Sequence, residues 1–279
     1  MAKRIVTTNG VFQPGYPVHK AIERLAKLGY DGIDIALDYC VQQPDWPFMT
    51  DGYLQWATGL KKQADAAGIA FTHAHAPADA AHTELFARSM ETAAALGARY
   101  IVLHPIWRDE TGAIIEEADM FIRQNADAIR PWLPKAESLE LTILSENLLW
   151  GASIDPRIIA KLVQTVDSPY FGWCFDTGHA NCFSIHPDVL LECAVPPVSL
   201  HLQDNHGGGN DEHLIPGDGT VDWDAVIRSL RAVGYAGDCV LEAHHQSLEA
   251  PDEQREPILA RLLEKGRELR EQMENENHS

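Results

Sequence analysis

The sequence predicts an α/β protein built as a single (β/α)8 TIM barrel, and three observations carry that prediction. Eight short, β-rich runs alternate with longer helical patterns from one end of the chain to the other. The runs read as near-continuous apolar segments, as strands covered on both faces of a parallel sheet do. The chain of 279 residues also holds the roughly 250 residues that eight strand–helix units occupy in such a barrel. A doubly wound open sheet competes with this reading. No Gly-rich GxGxxG follows the first run, so its dinucleotide-binding form, and with it a nucleotide cofactor, lacks support.

In chain order the predicted strands are RIVTT (4–8), GIDIALD (32–38), IAFTHAH (69–75), YIVLHP (100–105), LTILSEN (141–147), FGWCFDTG (171–178), VSLHLQDN (198–205) and CVLEAHH (239–245). Between them HKAIERLAKLG (19–29), YLQWATGLKKQADAAG (53–68) and TELFARSMETAAALG (83–97) are amphipathic and end in glycine, the residue a helix C-cap favours. No Pro/Ser-rich linker or break in composition divides the chain. Residues 1–270 therefore read as one domain, and 271–279 as an acidic, polar tail that frays.

With 22 basic and 41 acidic side chains the formal net charge is 22 − 41 = −19, which disfavours nonspecific binding to nucleic acid or anionic lipid. No apolar stretch approaches the ~18 residues of a membrane span. The opening MAKRIVTTNG lacks the apolar core of a signal peptide, so a cytoplasmic protein is expected. The five cysteines are odd in number, scattered and without a CxxC, the usage of a reducing compartment. The helical patterns leave a homo-oligomer open.

Chemistry in this fold sits at the C-terminal strand ends and in the loops after them. Here those ends carry His75, His104, Glu146, Asp176 with His179, His201 and Glu242, and the loop after strand seven adds Asp211 and His213. Each has an ordinary reading alone. A strand-end histidine is commonly a hydrogen-bonded core residue, Glu146 can cap a helix, Asp176 can form an Asx turn before Gly178, and Asp211 and His213 can be solvated loop residues. Six consecutive strands with a ligand-type residue at the same end are harder to explain that way. Gathering these groups costs several kcal/mol per uncompensated charge. A divalent cation, Mn²⁺, Zn²⁺, Mg²⁺ or Co²⁺, removes that cost with carboxylate and imidazole ligands.

The segments HAP (75–77), LHP (103–105), SEN (145–147), FDTGHA (175–180), HLQDN (201–205), DEHLIPGDGTVDW (211–223) and VLEAH (240–244) resemble the xylose isomerase-like TIM-barrel superfamily. It holds sugar isomerases, ketose epimerases, inosose dehydratases and endonuclease IV. The resemblance implies Glu146, Asp176, His201 and Glu242 as ligands of one catalytic metal, and His179 as a contact to the metal-bound substrate. It also matches His75, His104, Asp211 and His213 to the remaining ligands of endonuclease IV's three-zinc site.

The resulting expectation is a metal-dependent sugar or polyol isomerase or epimerase. Glu146 and Glu242 would serve as the acid/base pair beside a chelated carbonyl, with His104 or His179 on substrate hydroxyls. Trp107, Trp150 and Phe12 would wall the sugar, although each also reads as a packing residue. The alternatives are an endonuclease IV-like zinc phosphodiesterase acting on abasic DNA, an inosose dehydratase-like lyase, and a non-catalytic metal-dependent binding protein. Against DNA, the loops after strands two, three, six and seven contain no Lys or Arg, and only Arg108, Arg157 and Arg255 stand out near that face. The same shortage weakens a phosphate-anchored substrate, unless the amides of GGG (207–209) or GDG (217–219) form an anion nest. Ketose 3-epimerases carry an arginine soon after the strand-seven histidine and a second glutamate after the strand-five one. This chain reads LQDNHGGG and NLLWGAS there, which argues against that member.

Overall fold

In the computed structural model, which describes residues 3–41 and 46–275, eight strands run β1 (Ile5–Thr8), β2 (Gly32–Ala36), β3 (Ala70–His75), β4 (Tyr100–Leu103), β5 (Thr142–Glu146), β6 (Phe171–Asp176), β7 (Ser199–His201) and β8 (Cys239–Leu241). All pair in parallel and in sequence order, with β1 between β2 and β8. The remaining seam is closed by a parallel bridge between Leu202 and Leu241, where Leu202 N–H donates to Val240 at 2.8 Å and Glu242 N–H to Leu202 at 3.1 Å. The strands are shorter than the apolar runs that predict them, because every run except those of β1 and β3 continues past its strand into the loop above the barrel.

Among the described residues eleven α-helices fill the connections and follow β8: α1 (Val18–Leu28), α2 (Leu37–Val41), α3 (Tyr53–Ala67), α4 (Thr83–Leu96), α5 (Ala118–Ile129), α6 (Leu133–Ser138), α7 (Pro156–Val166), α8 (Thr177–Cys182), α9 (Trp223–Ala232), α10 (His245–Glu249) and α11 (Asp252–Glu274). The buried residues Val18, Ala21, Ile22 and Leu25 of α1 recur at the helical period and face the sheet. α1, α3 and α4 all end on the glycines expected, in left-handed conformation. Among the described residues no helix is long and apolar enough to cross a membrane.

The tail expected from Glu271 begins inside a helix. α11 continues to Glu274 because Leu269 and Met273, four residues apart, stay buried, and Met273 lies against Cys239. Glu271 and Gln272 between them are exposed on the outer face. Residues 276–279 of that tail lie outside the described residues.

Registry decides what points into the barrel. Asp176 pairs with His201, Glu146 with Cys174, and Ala36 with His75. A register shift in the β2–β3 pair between Ile33 and Asp34 sets Asp34 opposite His73. The interior layer beneath the strand ends is thus partly polar, holding Asp34, His73 and Ser199, each about 1% exposed.

Candidate metal centre

At the carboxyl ends of the strands a cavity of about 600 Å³ opens, lined among others by Asp38, His75, His104, Trp107, Glu146, Trp150, His179, Asp211, His213, Glu242 and His244. At its floor Glu146 and Glu242 of that lining meet the buried Asp176 and His201 beneath them, the four bringing one ligand atom each to within 4.8 Å of one another. His201 Nδ1 sits 2.8 Å from Glu146 Oε1 and 3.2 Å from Glu242 Oε2. Glu146 Oε2 and Asp176 Oδ2 are buried with no hydrogen-bond partner among the described residues. Orphaned carboxylate oxygens around an imidazole nitrogen are the donor set of a divalent cation, so the residues fit that group.

Local structure aims these side chains. Asp176 caps α8, accepting from His179 N–H at 2.7 Å. Asn147 ties β5 to β6 reciprocally, accepting from Asp176 N–H at 2.9 Å and donating to Asp176 O at 3.1 Å. Gly178 leaves room for the Gln203 amide, which lies 2.0 Å from where a β-carbon would stand. That amide donates to Asp176 Oδ1 at 3.2 Å and to Asp211 Oδ1 at 2.8 Å. The glycine of FDTGH and the glutamine of HLQDN are therefore two halves of one contact.

A second group stands beside the floor. His179 donates from Nδ1 to Asn147 O at 2.8 Å, and His213 donates from Nδ1 to Glu242 O at 2.8 Å. With those protons fixed by carbonyls, both rings turn Nε2 to Asp211 Oδ2, at 3.2 and 2.9 Å. His213 adopts φ 49°, in the left-handed region, to do so. A third group, His75, His104 and Glu146, shares its carboxylate with the floor. His75 Nε2 lies 3.2 Å from His104 Nε2, and the His75 ring stacks on His201 at 5.5 Å.

Electrostatics follow from this crowding. Burial pushes the Asp176 carboxyl up to about 7. Burial would also raise Glu146, but His201 beside it holds that carboxyl at about 2. Glu242 lies well below the usual carboxylate range, burial being outweighed by His201 and His75. Against burial, Cys174, Glu146 and Glu242 raise His201 well above the ordinary histidine value. His213 is raised to about 9, burial opposing and Asp211 favouring the charge.

Trp107 and Trp150 line the cavity and stack on each other at 4.5 Å, with the Arg108 guanidinium 4.1 Å from the Trp107 ring centroid. Trp150 is the exposed member, at 38%. Phe12 does not join them: it is 1% exposed, stacked on Tyr16 and outside the cavity lining. Its position just past β1 sends the ring into the packing between strand and helix instead of the mouth.

Among the described residues no Lys or Arg lines the cavity. Arg157 is bound to Asp155 and Glu192, and the buried Arg255 to Asp252 and the Ser247 carbonyl. The GDG turn is no free anion nest. Asp204 fills it, accepting from Gly217 and Val221 N–H at 2.8 and 3.0 Å and from Trp223 Nε1 at 2.9 Å. Sequence reasoning also passed over Asp34, Asn147, Gln203 and His244; the last stacks on His213 at 4.2 Å.

Fold and cluster together define a TIM barrel with groups of residues at its mouth that could hold a metal ion. Residues 22–268 match the family model described as xylose isomerase-like TIM barrel, and the chain belongs to that family. Uncharacterized protein y4fM of Sinorhizobium fredii is 29% identical over 163 residues, which is 54% of this chain and 49% of that protein. The chain thus matches about half the length of that relative. Uncharacterized protein ML2432 of Mycobacterium leprae is 26% identical over 89% of this chain and 92% of its own. Similar solved structures include a D-psicose 3-epimerase in the presence of D-fructose (TM-score 0.72, 15% identity, 95% of this chain and 99% of that one). The 3-keto-D-glucoside 4-epimerase YcjR of E. coli (0.70, 20%, 94% and 99%) and the IolI protein with a bound zinc atom (0.74, 17%, 97% and 97%) are others. At these identities the likeness is one of fold.

Proposed function

We propose that the protein is a divalent-metal-dependent isomerase or epimerase of a neutral sugar or polyol, moving a proton on the carbon beside a carbonyl. One observation carries the reading: Glu146, Asp176, His201 and Glu242 converge within 4.8 Å at the floor of a cavity lined by acids and imidazoles. The neighbours named above, two sugar epimerases and a zinc-bound protein, support it. A bound Mn²⁺, Zn²⁺, Mg²⁺ or Co²⁺ would supply Lewis-acid polarisation of the carbonyl. The chain supplies the proton transfers. Glu146 and Glu242 reach His201 from two different strands, and both are held ionised, the form that accepts a proton. As carboxylates either can remove the proton from one face of the carbon, and the other returns one to the opposite face after taking it up from solvent, so that the proton count is restored when the first releases its own. His179, engaged by Asn147 and Asp211, holds the site in shape, while His104 and His244 offer nitrogens to substrate hydroxyls. Trp150 offers an apolar face. The lack of Lys and Arg favours a neutral substrate over a phosphorylated one.

A specific observation favours a second reading, a three-zinc phosphodiesterase: the His75–His104–Glu146 and His179–Asp211–His213 groups flank the floor cluster. The base-poor mouth opposes it, since DNA affinity rests on phosphate contacts. Metal-loaded protein in D₂O, tested with ketoses, inososes and keto-glucosides, separates the two. Deuterium is expected beside the carbonyl of an unphosphorylated member by NMR, at least ~100-fold more slowly with Glu242→Gln. Exchange unaffected by that change, or cleavage of an abasic duplex without any exchange, would overturn the first reading.

A further inference from the structure

We infer that Asp34, in the layer beneath the cavity, is a positioning residue that fixes the proton and the plane of the His201 imidazole. The inference rests on the metal reading above, and its observations are separate ones. Asp34 points into the barrel from β2, is 1% exposed, and neither carboxylate oxygen has a hydrogen-bond partner among the described residues. A buried carboxylate left like this costs several kcal/mol unless a partner compensates it. His73 lies opposite in register but is not that partner. Its two ring nitrogens are engaged by Thr72 Oγ1 at 2.9 Å and Ser199 Oγ at 3.0 Å.

The one ion-pair partner found for Asp34 among the described residues is His201 Nε2, at 3.7 Å from Oδ2, and that nitrogen is itself buried without a hydrogen bond. His201 thus spans two layers. Nδ1 faces Glu146 and Glu242 on the floor, and Nε2 faces Asp34 below. An imidazole gives a cation the lone pair of one nitrogen only, and then carries its proton on the other. With Nδ1 in the cluster, that proton belongs on Nε2, where Asp34 is the carboxylate in place to receive it. Carboxylates in this relation orient metal-binding histidines, and their loss weakens metal binding about 10- to 100-fold.

The test compares wild type and Asp34→Asn by isothermal titration of the chelator-treated chain with Zn²⁺, alongside thermal melting without metal. The expected result is Zn²⁺ affinity 10- to 100-fold weaker in Asp34→Asn, with an unchanged metal-free Tm because asparagine keeps the volume of the side chain and an oxygen to face His201 Nε2. A merely structural role would lower the Tm and leave affinity alone, and affinity within threefold of wild type would overturn the inference. Long-range ¹H–¹⁵N NMR of zinc-loaded wild type tests the same point without a variant. His201 should be protonated on Nε2, and protonation on Nδ1 would overturn it. If wild type binds no Zn²⁺ at all, the metal reading falls first and this inference with it.

Discussion

Asp204 and Asp176 are both 0% exposed carboxylates above the barrel, and they are opposites in what surrounds them. Asp204 is saturated: the N–H groups of Asn205, Gly217 and Val221 and the Trp223 indole all donate to it. It pins the long loop between β7 and α9 to the strand end, and Gly219 has no β-carbon because one would strike Asp204 and Asn205. Asp176 uses only Oδ1, for His179 N–H and Gln203, and leaves Oδ2 unpartnered toward Glu146, His201 and Glu242. Burial alone therefore does not mark a functional carboxylate. A satisfied one holds the fold, and an unsatisfied one among others is kept for something the fold does not supply.

The largest effect expected from this contrast is on stability at Asp204. Asp204→Ala leaves four donors without an acceptor and should lose roughly 3–5 kcal/mol in urea unfolding. A loss below ~1 kcal/mol would mean that the loop is held elsewhere. Asp176→Asn should do much less. Asparagine still caps α8, and the change removes one of several crowded negative charges, so stability should stay within about 1 kcal/mol of wild type. If the two substitutions destabilised equally, the distinction between anchoring and ligating carboxylates would collapse.

The barrel was legible because its strands are apolar runs of the right number and its first helices carry glycine stops. The strand-end groups were legible because chemistry-bearing residue types recur at one position of a repeating unit. Other features depend on three-dimensional neighbours. Phe12 looks like a rim residue until its packing on Tyr16 is known. GDG looks like an anion nest until Asp204 is found inside it. The acidic end of α11 hid the Leu269–Met273 pair that keeps it helical. Asp34 did leave a signal, a lone carboxylate in the otherwise apolar GIDIA, but its partner on β7 lies 167 positions away in sequence.

The central claim is that the four floor residues hold a divalent cation. The most direct measurement is Zn²⁺ bound per chain after chelation and reloading, in wild type and in Asp176→Asn. The account predicts about one tightly held ion in wild type and at least ~10-fold weaker binding in the variant, whose fold is otherwise intact. Wild-type protein without bound zinc, or a variant that takes up zinc as tightly as wild type, would contradict it.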